Sequence, residues 1–205
     1  SIHDPHLSIF EKNLFTDGWF IKSMPDLNQR NELLETYLIQ NSIWWIEYAN
    51  LSGFRVDTYP YVDKNFLSTW SMRILSEYPN FNFVGEEWNA NPTIVSYWQK
   101  DSPRHDDYVS FIPSMMDFPL QSAIVKGLKE KESWNSGIGN IFRVLANDFQ
   151  YGNPYNLVVF LGNHDMTRIY SVLNERLDLY KMAMSIICTI RGIPQIYYCL
   201  LYTSD

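Results

Sequence analysis

The sequence has no excess of basic residues. Lys and Arg number 16 against 23 Asp and Glu, a formal net charge of -7. The positive footprint that holds a phosphate backbone is therefore missing, and nucleic acid is not an expected partner. No apolar run approaches the ~20 residues of a membrane helix, so no membrane span is expected. Two cysteines among 205 residues are too few for a dense disulfide framework. Cys188 falls in an apolar helical pattern and reads as core, while Cys199 lies close to the end. Glycine is scarce at nine residues. No GxGxxG loop follows any candidate strand, which counts against a nucleotide-binding sheet. Internal repeats and low-complexity segments are absent. The chain opens on Ser1 without a charged segment followed by an apolar stretch, so no secretory leader is legible.

What is present is a chain of one-domain length with 46% hydrophobic residues, too apolar to be disordered. Aromatic residues make up 16%. Such rings pack cores, and they also stack on sugars and bases.

Helical patterns alternate with short apolar runs. Asn28 or Asn31 is placed to cap a helix whose stripe runs Leu34, Tyr37, Leu38, Trp45 and Tyr48. Gly53 ends that region, and Phe54 to Asp57 reads as a strand. Lys64 to Tyr78 carries Phe66, Trp70 and Ile74 at helical spacing and stops at Pro79. Asn82 to Gly85 is a second strand, and Asn91-Pro92 a cap with proline at the first helical position. Tyr108 to Ile112 is a candidate strand. Leu120 to Glu130, Gly139 to Phe149 and Asn174 to Ile190 read as helices, the last with Leu177, Tyr180, Met184 and Ile187 on one face. Leu157 to Leu161 and Ile193 to Tyr198 read as buried strands. This order predicts an α/β fold of parallel βαβ units. An open doubly wound sheet and a (β/α)8 barrel both fit; a whole barrel needs about 250 residues, so this chain would hold part of one.

Three of these strands end in an acid: Asp57 after Gly-Phe-Arg-Val, Glu86 after Phe-Val-Gly, and Asp165 after Leu-Gly-Asn-His. In parallel α/β folds the C-terminal strand ends converge on the site face. Acids brought together there raise one another's pKa, which keeps one carboxyl protonated near neutrality. Arg55 stands two residues before Asp57, on the same face of a strand, where its guanidinium can hold Asp57 ionised. An ionised carboxylate beside a protonated one is the equipment for glycoside cleavage. The bland alternative is that each acid only caps the following helix. A metal site is disfavoured: His164 and Asp165 are neighbours that would point apart on a strand, and no second His stands at ligand spacing.

At these residues the sequence resembles a known family. Gly53-Phe-Arg-Val-Asp57, Val84-Gly-Glu-Glu-Trp88 and Phe160-Leu-Gly-Asn-His-Asp165 are similar, in order, to three signature segments of the α-amylase family (glycoside hydrolase family 13). Met24-Pro-Asp-Leu-Asn28 resembles a segment of its neopullulanase and cyclomaltodextrinase branch, and Gly192 to Tyr198 resembles the last barrel strand. The resemblance implies strands four to eight of a partial (β/α)8 TIM barrel over residues 1–198. Residues 199–205 are expected to be a tail foreign to the fold. The family's earliest segment, an Asn-His pair, has no match around residues 3–6, so the chain reads as part of a longer protein.

The resemblance implies a retaining hydrolase of α-1,4-linked glucans. Asp57 would be the nucleophile, Glu86 the acid/base, with Glu87 the competing candidate, and Asp165 the third acid. Arg55, His164, Asn163, Trp88, Tyr59 and Tyr61 would bind substrate; the tyrosines replace the family's usual residues after the nucleophile. An α-glucosidase, a transglycosylase, or an inactive carbohydrate-binding relative would use the same barrel. The chemistry requires no cofactor and no metal; the resemblance leaves room for structural calcium in the full-length enzyme, with ligands drawn partly from the missing segment. A homodimer and a periplasmic or secreted location are further expectations of the resemblance.

Overall fold

The computed structural model describes residues 7–202. The first segment is helix α1, Ile9–Asp17. It is started by a capping box in which the Ser8 hydroxyl accepts from the Glu11 N–H and the Glu11 carboxylate accepts from the Ser8 N–H. Helix α2 spans Glu32–Ala49. Of the two expected caps it uses Asn31, whose side chain accepts from the N–H groups of Leu33 and Leu34.

Five strands form among the described residues, four of them where the sequence placed strands, and their pairing is parallel as predicted. They are β1 (Gly53–Val56), β2 (Asn82–Gly85), β3 (Ser114–Met115), β4 (Val158–Phe160) and β5 (Ile193–Gln195). Strands β1, β2 and β3 pair in parallel, as do β4 and β5. A parallel bridge between Met116 and Val158, with the Asp117 N–H donating to the Val158 carbonyl at 2.9 Å, joins the two groups into one succession. Between the strands lie α3 (Lys64–Glu77), α4 (Pro92–Ser96), α5 (Phe118–Lys129), α6 (Gly139–Leu145), α7 (Ile169–Val172) and α8 (Leu177–Thr189). Each strand's C-terminal end therefore opens on the same side, and that side carries the acids.

Two apolar cores hold the layers. The first joins α2 and α3 to β1 and β2 through Ile39, Ile46, Phe66, Trp70, Ile74 and Phe83. The Trp70 ring meets Phe83 edge-on at 4.9 Å, and its indole N–H donates to Ser42 at 2.9 Å. The second joins α5, α6 and α8 to β4 through Ile124, Ile141, Val159, Ala183 and Ile187. Leu200 packs against this second core, within the stretch expected to be a tail.

Several expectations are corrected. On α2 the buried residues are Ile39 and Ile46, and the predicted stripe members Tyr37, Trp45 and Tyr48 face water. The helix has two apolar faces, and α3 takes the one that Ile39 and Ile46 share at a seven-residue spacing. Leu33, Tyr37, Trp44, Trp45 and Tyr48 stay 45% to 84% exposed. Residues 108–112 form no strand. The Ile112 carbonyl is taken by the Lys100 N–H at 2.8 Å, and Pro113 has no N–H to give, so pairing with β2 starts at Ser114. On α8, Cys188 and Leu177 are exposed, and the core face is Tyr180, Ala183 and Ile187.

A buried ionic cluster closes the second half. Arg191, just after α8, pairs with Asp117 at the start of α5 and with Asp148, with its side chain 9% exposed and that of Asp117 0%. The Asp117 carboxylate also accepts from the Leu120 N–H at 2.9 Å, capping α5. Gly192 then turns the chain at φ 105°, a left-handed conformation that a side chain would strain, and a Cβ there would lie 2.7 Å from the Leu157 carbonyl. Breaking a buried charge cluster by deleting one partner costs about 3–5 kcal/mol. Arg191→Met should therefore lower unfolding stability by about that amount in urea denaturation; a loss below about 1 kcal/mol would show the cluster to be energetically idle.

Candidate functional site

The site begins at the C-terminal end of β1. Arg55 points its guanidinium at two acids: one nitrogen donates to Asp57 at 2.7 Å and the other to Glu86 at 2.5 Å. The expected pairing of Arg55 with Asp57 is thus extended to the acid of the neighbouring strand. Register explains why, because Arg55 pairs with Val84 on β2 and Val56 with Gly85, so the two strands end level. Glu86 takes the next step of the same ladder, its N–H donating to the Val56 carbonyl at 3.0 Å.

Backbone geometry sharpens the arrangement. Thr58 sits at φ 45°, a left-handed conformation costly for a β-branched residue. That turn aims the Thr58 N–H at the second Glu86 oxygen, 3.2 Å away. Such local strain is characteristic of functional sites. Gly85 lets β2 pass close to β3, since a Cβ there would lie 2.7 Å from the Met115 sulfur and 2.9 Å from Ile112.

Glu86 is buried, and its pKa is raised above the ordinary 4.5. Burial is the leading cause, reinforced by the hydrogen bond and charge of Asp57; the Thr58 N–H and the Arg55 cation act in the opposite direction. Glu87 is also buried but differently placed. Its carboxylate accepts from the Trp98 indole N–H at 3.0 Å.

The third acid arrives from the far strand. After β4 the chain turns at residues 163–166, and the Asn163 side-chain oxygen accepts from the Asp165 N–H at 3.0 Å. His164 and Asp165, expected to point apart, instead come together, with Nε2 3.2 Å from the carboxylate. The segment is a turn rather than a strand, so alternation does not apply.

Asp57, Glu86 and Asp165 line one cleft of about 660 Å³, together with Glu87 and His164. Trp88 and Tyr61 also line it, whereas Tyr59 and Asn163 do not. Tyr59 is fully buried against Trp98, ring centroids 5.4 Å apart, and burial pushes its phenol pKa up. Asn163 is buried under the turn it holds. Sequence reasoning missed the opposite wall, formed by Phe15, Phe20 and Met24. Phe15 stacks on Tyr61 at 4.3 Å, and Phe20 meets it edge-on at 5.2 Å. The Ser8-to-Glu11 capping box was the available signal for the helix that carries Phe15. Among the described residues no three His, Cys, Asp or Glu side chains gather as metal ligands.

Residues 11–199 match the family model described as alpha amylase, catalytic domain. Alpha-amylase 2 of Dictyoglomus thermophilum is 28% identical over 189 residues, covering 92% of this chain and 31% of its own length. A cyclomaltodextrinase of Thermoanaerobacter pseudethanolicus is 25% identical over 178 residues, covering 85% of this chain and 28% of its own. The chain thus spans about a third of the length of these relatives. Among solved structures, the α-amylase of Geobacillus thermoleovorans in complex with acarbose superposes with a TM-score of 0.79 at 28% identity, over 95% of this chain and 42% of that one.

The electrostatics of the site are open to direct test. A carboxyl whose folded pKa is raised adds stability that is complete below its unfolded value and is lost as pH rises through the folded value. Glu86 should titrate above 4.5 in carboxyl-carbon NMR. Asp57→Asn should bring its pKa down and Arg55→Met should send it further up; the opposite order would refute the assigned causes.

Proposed function

Since the chain belongs to the α-amylase family, we propose that it is the part of an α-glucan hydrolase that carries the three acids. The carrying observation is the single guanidinium shared by Asp57 and Glu86, two acids that line one cleft with Asp165. Asp57, paired with the Arg55 guanidinium, attacks the anomeric carbon. Glu86, whose raised pKa favours the protonated form, gives its proton to the departing glycosidic oxygen. The bond to the leaving sugar breaks as the bond to Asp57 forms. Glu86 then takes a proton from water, and the hydroxide releases the sugar from Asp57.

Retention is supported by closeness. Asp57 and Glu86 share one guanidinium, each within hydrogen-bond distance of Arg55. An inverting pair stands roughly 6.5–9.5 Å apart to admit a water. Asp165, paired with His164, is placed to grip sugar hydroxyls at the reacting ring. Trp88 and Tyr61 offer aromatic faces to neighbouring sugars.

Substrates of the neopullulanase and cyclomaltodextrinase type are supported by two features. Met24, from the segment that resembles that branch, stands in the cleft wall, and a cyclomaltodextrinase is among the relatives. The five parallel strands are proposed as strands four to eight of an eight-stranded barrel. Among the described residues β1 and β5 each have one strand partner, so the substrate lacks walls on those sides.

In the enzyme that contains this chain, Asp57→Asn should lower kcat on maltotetraose by roughly 10⁴-fold or more. The wild-type product should first appear as the α-anomer by proton NMR. Undiminished turnover in the variant, or a β-anomer, would overturn the reading. The isolated 205-residue chain should show no turnover.

A further inference from the structure

The acid beside Glu86 has a task of its own. Glu86 and Glu87 are consecutive, both buried and both in the cleft wall. The Glu86 carboxylate is tied towards β1, through Arg55 and the Thr58 N–H. The Glu87 carboxylate is tied the other way, to the indole N–H of Trp98, eleven residues on.

Trp98 follows α4 and is fully buried. Its ring meets Tyr59 edge-on at 5.4 Å and Tyr108 edge-on at 5.3 Å. Its carbonyl accepts from the Ser110 hydroxyl at 2.5 Å. An indole held on so many sides is a fixed donor, and a buried N–H requires an acceptor. Glu87 supplies one, and a carboxylate makes the bond stronger than a neutral acceptor would.

These contacts close a circuit around the proton donor. Glu87 joins Trp98, Trp98 packs on Tyr59, and the Tyr59 N–H returns to the Glu86 carbonyl at 3.1 Å. That carbonyl belongs to the peptide unit between the two acids. The unit is therefore pinned by Tyr59 on one side and through the Glu87 side chain on the other. Thr58, whose N–H meets the Glu86 carboxylate at 3.2 Å, is the residue just before Tyr59. Release of Glu87 loosens the backbone and the hydrogen bond that aim Glu86.

We infer that Glu87 is a positioning residue, which through its bond to Trp98 holds the Glu86 carboxyl against the Thr58 N–H and so sets the aim of the proton donor. The inference rests on the α-glucan reading above, with Glu86 as acid/base, and assigns a role to its neighbour. It also gives Tyr59 a use in the core, where its ring backs Trp98 and its N–H grips Glu86.

The test is turnover of maltotetraose across pH by the enzyme that contains this chain. Glu87→Leu removes the acceptor and should lower kcat about 10²-fold, the scale of a ~1 Å misplacement, with KM within about twofold of wild type. The Thr58 N–H lowers the Glu86 pKa, so its loss should also move the basic limb of the kcat/KM profile to higher pH. Arg55 and Asp57, which face the same carboxyl, and the Asp165–His164 pair in the same cleft are unaltered by the substitution. Glu87→Gln keeps a carbonyl oxygen for the indole and should recover kcat to within about threefold of wild type. Trp98→Phe keeps a ring and deletes the donor. It should reproduce the Glu87→Leu profile, and it decides the matter should that variant fail to fold. An unshifted profile in Glu87→Leu and Trp98→Phe, or a Glu87→Gln variant as slow as Glu87→Leu, would overturn the inference; an inactive Asp57→Asn beside it would leave the α-glucan reading intact. Full turnover by Asp57→Asn would overturn both.

Discussion

One guanidinium between two carboxylates is the interaction on which the site depends. Without Arg55, the buried Glu86 and its more exposed neighbour Asp57 would meet as like charges. With it, both acids share one cation, while burial still keeps the pKa of Glu86 raised. The pairing of β1 with β2 supplies the geometry, because Arg55 stands opposite Val84 and both acids follow at level strand ends. A slip of one residue between these strands would turn Arg55 to the other face and separate the pair.

The sequence was most legible where a local interaction decides the structure. The Asn31 and Asn91 caps, the helix from Lys64 and the strand from Asn82 to Gly85 all stand close to where the pattern placed them. Each depends on a capping side chain or a short apolar run within a few residues. The three acids were also visible, since each follows a strand and the strands are parallel. Less legible were choices between competing burials. Tyr59 and Tyr61 are near neighbours with the same side chain, yet a left-handed Thr58 and a three-residue turn send the first into the core and the second to the cleft. Nothing local in the sequence distinguishes them. The aromatic wall from α1 depended on a contact across more than forty residues, Phe15 on Tyr61.

Away from the site, ionic and aromatic contacts set how rigid its supports are. Arg191 ties the start of α5 to the connection before β5. The Phe118 ring joins that helix to Trp88 in the cleft wall. The loop after α4 is held by Gln99, whose amide donates to the carbonyls of Pro113 and Asn153. Asp106 does similar work. Burial would raise its pKa, but Lys64, Tyr97 and the Tyr108 N–H outweigh that and hold it at about 2. The acid-bearing turns therefore rest on parts that are themselves fixed.

The outward side of α2 has a different consequence. Trp44, Trp45 and Tyr48 cluster there in mutual ring contact, with Trp44 and Tyr48 stacked at 4.8 Å. So much aromatic area in water favours association with any apolar neighbour, including a second molecule. Association of folded molecules stabilises them by mass action. If two molecules meet on these rings, the melting temperature becomes a property of concentration as well as of fold, and rises as the protein is concentrated.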